Sequence, residues 1–110
     1  MYEILIVGGG PAGLTAAIYA ARAGKHVAVL ERGSTGGQII SAPLVENYPG
    51  IPSVSGTELA RQMTEQACTF GAEIVYTEAV GLEKTPAGFR VLCTDGVREA
   101  KTVILATGAA

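Results

Sequence analysis

The sequence is poor in cysteine, histidine and charge. Its two cysteines, Cys68 and Cys93, stand far apart. They form neither a disulfide framework nor a Cys-x-x-Cys redox pair, and they fit a reducing cytoplasm. The single histidine, His26, sits beside Lys25 with no ligand cluster near it, so it reads as a solvated loop-end residue and no metal site is expected. Charged residues make up 16%, the net charge is −2, and the eight Lys and Arg are scattered. No basic stripe points to nucleic acid. No run approaches the ~18 apolar residues that a membrane helix needs. Met1-Tyr2-Glu3 lacks a cationic leader and does not read as a signal peptide. Internal repeats and low-complexity tracts are also missing.

What is there is a globular composition, 48% hydrophobic over 110 residues. That length suits one small domain. A chain of this size buries roughly 65% of the surface its unfolded form exposes, enough for one core. Glu3 to Val7 carries the branched run Ile4-Leu5-Ile6-Val7. Apolar residues without alternation suggest a strand covered on both faces, as in a parallel sheet. Three glycines stop it. Pro11 suits the first position of a helix, and Leu14, Ala17, Ile18 and Ala21 recur at helical spacing up to the stop at Gly24. Val27 to Leu30 is a second apolar strand, closed by Glu31. Strand, helix and strand in about 30 residues make a βαβ unit.

From Arg32 to Val54 no period is visible, and Gly33, Gly36, Gly37, Pro43, Pro49, Gly50 and Pro52 interrupt the chain. Loops this long in compact domains are uncommon and usually functional. Ser55 and Glu58 have capping-box spacing. Leu59, Met63, Ala67 and Phe70 then form a helical stripe expected in the core, with Gly71 as its stop. Ile74 to Tyr76 reads as a third parallel strand. Val80 to Leu82, Phe89 to Thr94 and Val97 to Ala100 read as an antiparallel meander, turning near Pro86 to Gly88 and at Asp95-Gly96. Thr102 to Ala106 is a last apolar strand. The expected fold is therefore α/β: a Rossmann-like parallel sheet with an antiparallel β-meander inserted before the last strand.

The chemistry begins at Gly8-Gly9-Gly10-Pro11-Ala12-Gly13, where Gly8, Gly10 and Gly13 match G-x-G-x-x-G between a strand and a helix. Gly8 allows the tight turn, Gly10 lets the backbone approach a pyrophosphate, and Gly13 lets the helix pack closely on the strand. The pyrophosphate would meet free N–H groups at the helix N-terminus. Glu31 follows Gly13 by 18 residues, against an expected spacing of about 20. Its carboxylate can accept hydrogen bonds from a ribose diol and would repel a 2′-phosphate, which disfavours NADP here. These residues alone do not separate FAD from NAD, since both carry an ADP half.

Four words in order carry a closer resemblance: Gly8-Gly9-Gly10-Pro11-Ala12-Gly13, Gly36-Gly37-Gln38, Glu46-Asn47-Tyr48-Pro49-Gly50 and Ala106-Thr107-Gly108-Ala109. Through them residues 1–109 resemble the N-terminal part of the FAD domain of thioredoxin reductase and its low-molecular-weight relatives. Gly-Gly-Gln combined with Glu-Asn-Tyr-Pro-Gly at this separation is the specific part. The resemblance implies that Gly10, Pro11, Ala12 and Gly13 hold the FAD pyrophosphate, after the turn at Gly8. It implies that Glu31 and Arg32 sit at the adenosine ribose and adenine, and that Gly37 and Gln38 run toward the flavin. Asn47 would lie close to the isoalloxazine ring, Val80 would meet adenine through its backbone, and Ala106, Thr107 and Gly108 would pass near the cofactor. No catalytic side chain is assigned.

Chains of that family continue into an NADPH-binding domain with a Cys-x-x-Cys, then return to complete the FAD domain. This sequence has no Cys-x-x-Cys and no second G-x-G-x-x-G. Residues 1–110 are accordingly expected to be an incomplete FAD-binding segment of a flavin-dependent, NAD(P)H-linked disulfide oxidoreductase, not competent for turnover alone. The resemblance further implies NADPH in the missing domain, a thioredoxin-like protein or other electron acceptor as partner, and a homodimer for the complete, cytoplasmic enzyme. A segment of a thioredoxin-reductase-like ferredoxin–NADP reductase, or a stand-alone dinucleotide-binding module without turnover, stays open. Cys68 and Cys93 are read as ordinary packing residues. Tyr48 either shields the cofactor or anchors its loop.

Overall fold

The computed structural model describes residues 1–108. Strand β1 spans Tyr2–Val7, helix α1 Pro11–Arg22 and strand β2 Val27–Glu31. Helix α2 spans Gly56–Thr69, and strands β3, β4, β5 and β6 span Glu73–Tyr76, Ala79–Thr85, Gly88–Cys93 and Gly96–Leu105. All six strands share one sheet in the order β3-β2-β1-β6-β5-β4. The β3-β2-β1-β6 part is parallel, and β6-β5-β4 is antiparallel.

The apolar run of β2 explains its central place. Val27, Ala28 and Val29 are fully buried and Leu30 is 2% exposed, so both faces are covered as expected of a parallel strand. On one face Val27 and Val29 join Ile6 and the helix residues Ala17, Ala20, Ala21 and Ala67. On the other, Leu5, Ala28 and Leu30 meet Val91 and Ala100 of the antiparallel strands. The meander therefore supplies the second covering layer of the parallel sheet. Leu14 packs with Leu59 and Met63 and ties α1 to α2.

Three expectations need correction. The strands expected at Val97 to Ala100 and Thr102 to Ala106 are one continuous strand, β6. It pairs with β5 up to Ala100 and with β1 from Ala100 on, so Ala100 pairs on both sides. Lys101 does not interrupt it, because an exposed lysine extends from a strand without disturbing the backbone. Phe70 is not core: α2 ends at Thr69, and Phe70 is 43% exposed with the Arg22 guanidinium 5.6 Å from its ring centroid. The stripe at spacing four reaches Ala67, and the chain turns at the left-handed Gly71 before Phe70 can follow it inward. The second meander turn falls on Thr94 and Asp95, with Cys93 paired to Gly96. The stretch without period also contains structure: a 3₁₀ turn at Gly37–Ser41 and a small ribbon closed by the bridges Val45↔Val54 and Tyr48↔Ile51.

Candidate functional site

The carboxyl ends of β1, β2, β3 and β6 open into one cleft of about 670 Å³. Its position follows from topology. From β1 the chain goes to β2 on one side, while β6 lies on the other, and loops leaving such a switch point diverge and leave a crevice. That volume lies within the usual range for ligand sites.

The floor is the turn after β1. Gly8 has φ +108°, and a Cβ there would lie 2.1 Å from the Ala106 carbonyl oxygen, so only glycine permits this approach to the exit of β6. A Cβ at Gly13 would lie 1.9 Å from the Gly8 carbonyl oxygen. Gly10 differs. A Cβ there would meet no protein atom closer than Gly37 Cα at 3.7 Å. The backbones of Gly10 and Gly37 thus lie in near contact, with the Pro11 ring beside them, on the lining of the cleft. Helix α1 opens onto it with no side-chain cap and no acidic residue in its first turn. Its unpaired first-turn N–H groups and dipole suit a phosphate anion.

Glu31 is fixed by the same turn. Its Oε1 accepts from the Gly9 N–H at 2.8 Å and its Oε2 from the Gly33 N–H at 2.7 Å. Charge-assisted bonds of this kind hold the carboxylate in one orientation, with lone pairs left for a ligand hydroxyl. The Gly36 N–H donates to the Gly9 carbonyl at 2.7 Å, tying the Gly-Gly-Gln segment to the turn. The far wall is Thr77, Glu78 and Ala79. The Thr77 N–H donates to the Glu31 carbonyl at 3.0 Å, and its hydroxyl donates to Asp95 Oδ1 at 2.6 Å. The Thr94 N–H donates to the Glu78 carbonyl at 2.9 Å, so the β5–β6 turn braces this wall. Arg98 and the Thr77 hydroxyl hold the Asp95 carboxyl well below the usual carboxylate range.

Gly8, Gly10, Pro11, Ala12, Glu31, Arg32, Gly37, Gln38, Ala106, Thr107 and Gly108 all line the cleft. Gly13 lies buried beneath it. Asn47 is exposed on the ribbon between Val45 and Val54 and is not among the lining residues. Val80 follows the wall and is 63% exposed, and Ala79 takes the lining position. Ala109, the end of the fourth word, lies outside the described residues. Thr77, Glu78 and Ser41 are lining residues without a motif. The signal for Thr77 and Glu78 was their place just past the third parallel strand, where such folds bind ligands. Cys68 and Cys93 are free thiols, the first exposed and the second half-buried. No described helix is long and apolar enough to cross a membrane.

A glycine turn between β1 and α1, an acid closing β2 and a crevice at the switch point define a Rossmann-type dinucleotide-binding segment. Comparison gives the family: residues 2–110 match Pyridine nucleotide-disulphide oxidoreductase, and the chain belongs to that family. It is 44% identical over 109 residues to a thioredoxin reductase of Treponema pallidum, covering 98% of this chain and 36% of that protein. It is 45% identical over 112 residues to one from Aquifex aeolicus, covering 99% and 34%. The crystal structure of thioredoxin reductase from Streptococcus pyogenes superposes with a TM-score of 0.96 at 47% identity, over 100% of this chain and 36% of that one. The chain thus spans about a third of the length of the relatives it matches.

Proposed function

We propose that this chain is the FAD-binding segment of a thioredoxin-reductase-like flavoprotein. The observation that carries this reading is the cleft lined by the Gly10 and Gly37 backbones, with the uncapped start of α1 opening onto it and the fixed Glu31 carboxylate on the same lining. Its chemistry fits a dinucleotide: amides for a pyrophosphate, a carboxylate for a ribose diol. The cleft lining also includes Gln38, Ser41 and Thr107 beyond the glycine turn. FAD, when bound, supplies two-electron redox chemistry at its isoalloxazine ring, and the protein orients and tunes it.

In this reading Gly10, Pro11, Ala12 and Gly13 hold the pyrophosphate. Glu31 and Arg32 take the adenosine end, with Val80 meeting adenine through its backbone. Gly37, Gln38 and Asn47 serve the flavin end, and Ala106, Thr107 and Gly108 close the cofactor's near side. The resemblance supports NADPH as hydride source, a thioredoxin-like protein or other electron acceptor as partner, and a homodimer, all for a full-length protein; the relatives' names support only the thioredoxin-like partner. A cytoplasmic setting suits the two free cysteines.

The test is titration of the purified chain with FAD, followed by flavin absorbance and fluorescence, with NAD and ADP as competitors. Saturable FAD binding well tighter than NAD or ADP is expected. Equal, weak binding of all three would reduce the site to a generic ADP-half cradle and overturn the flavin reading.

A further inference from the structure

The adenosine end of the cleft has a charge arrangement that no sequence motif specifies. Among the described residues lining it, Arg32 is the one cation, and Glu31 and Glu78 are the two anions. Glu31 is committed to the backbone through Gly9 and Gly33. Arg32 instead pairs with Glu78, Nη1 to Oε2, at 3.6 Å. Glu78 is held beside the exit of β2 by its neighbours: Thr94 bonds its carbonyl, and Thr77 is bonded to both Glu31 and Asp95.

Resting on the dinucleotide reading above, we propose that Glu78 is a specificity-determining residue. It holds Arg32 in an ion pair and so keeps the site selective for an unphosphorylated ribose. An arginine near the acid that closes β2 is the group that accommodates a 2′-phosphate in dinucleotide folds. Arg32 stands next to that acid, so selectivity requires that its charge be answered elsewhere. Glu31 alone would leave the rim neutral, and Glu78 makes it net negative. The paired side chains are 67% and 47% exposed, and pairs this exposed contribute little to folding. The role of the pair lies in the charge it presents to a ligand.

The experiment measures the affinities of ADP and 2′,5′-ADP for the 110-residue chain by isothermal titration, and reads their ratio within each variant. Partial loss of folded protein cancels in that ratio. Glu78→Gln is expected to improve 2′,5′-ADP relative to ADP by about fivefold, the scale of the released Arg32 charge meeting a phosphate about 4 Å away in a water-like dielectric. The gain should shrink at high salt. Glu78→Asp, which keeps the charge, should retain the original ratio. In an Arg32→Gln background the gain from Glu78→Gln should fall to about twofold or less, because only direct repulsion is left to remove. If ADP binds but Glu78→Gln leaves the ratio unmoved, or the gain is undiminished without Arg32, the inference is overturned and the dinucleotide reading stands. If neither nucleotide binds the unsubstituted chain, both fall.

Discussion

The two helices begin in opposite ways. Helix α2 starts at Ser55, whose hydroxyl accepts from the Glu58 N–H at 3.1 Å, and Glu58 places a carboxylate in the first turn. Its next N–H, from Gly56, donates to the Ala42 carbonyl at 2.9 Å. The chain itself supplies the negative partners that the N-terminus requires. Helix α1 starts at Gly10 with none of these. The same element is thus closed as structure in one place and left open to a ligand in the other. The residues at the cap decide which. A short oxygen-bearing side chain satisfies the amides, and a glycine leaves them for an outside anion.

The largest expected effect comes from the crowded side of the α1 turn. Gly13→Ala puts a Cβ 1.9 Å from a backbone oxygen, which no rotamer relieves. Such overpacking should cost about 3 kcal/mol, the upper end for inserted methyl groups, measured by urea unfolding. Against a total stability of roughly 5–15 kcal/mol that is a large share, and the urea midpoint should fall accordingly. A Gly13→Ala variant of normal stability would sink the steric account of the turn.

Gly10→Val acts on binding instead. A Cβ there makes only ordinary contact with Gly37, so thermal unfolding should fall far less than for Gly13→Ala. Nucleotide affinity should fall about a hundredfold, or ~2.7 kcal/mol, as the isopropyl group enters the cleft beside the start of α1. Undiminished FAD binding by Gly10→Val would break the comparison at its centre, since the open start of α1 would then have no tie to the ligand.

How much of this contrast could be read from the sequence depends on whether the cause was local. The glycine turn, the apolar β2 and the Ser55 cap are short-range patterns, and each appears where its pattern stands. The capping box is only half realised. Ser55 caps as its spacing requires, but the Glu58 carboxylate turns to Arg61. The Thr77–Ala79 wall depends on the sheet, which sets β3 beside β2 and brings Asp95 to Thr77 across 18 residues. No periodicity encodes that contact. The continuity of β6 was hidden because Lys101 looks like a break in a hydrophobicity pattern while leaving the backbone ladder intact. The placement of Asn47 depends on how an aperiodic ribbon folds back on itself.

Ser55→Ala sharpens the comparison from the other helix. Losing this cap should cost about 1 kcal/mol of stability, seen as a lower urea midpoint with an unchanged slope. Nucleotide affinity should not move, because the start of α2 satisfies only its own chain. A matching loss of affinity would mean that the two N-termini are coupled, and that the division between structural and ligand ends is wrong.

The smallest effect concerns acid. The Arg61 guanidinium, helped by Gln62, holds the Glu58 carboxyl down at about 2, against an ordinary value of 4.5. The folded state therefore favours the ionised form. Its contribution is fully present above the ordinary value and is lost as pH falls through about 2. Asp95, lowered in the same sense by Arg98 and Thr77, adds to the acid loss. Helix α1, with no acid in its first turn, adds nothing of this kind. Melting temperature followed from pH 5 downward should thus fall less steeply in Glu58→Gln than in the parent, the remaining slope including the share of Asp95. The difference should be small, because Glu58 and Arg61 are exposed and water screens the pair. Parallel curves for the two proteins would mean that the carboxylate at the start of α2 contributes nothing measurable to the fold. Capping by Ser55 would then carry the whole difference between the closed helix and the open one.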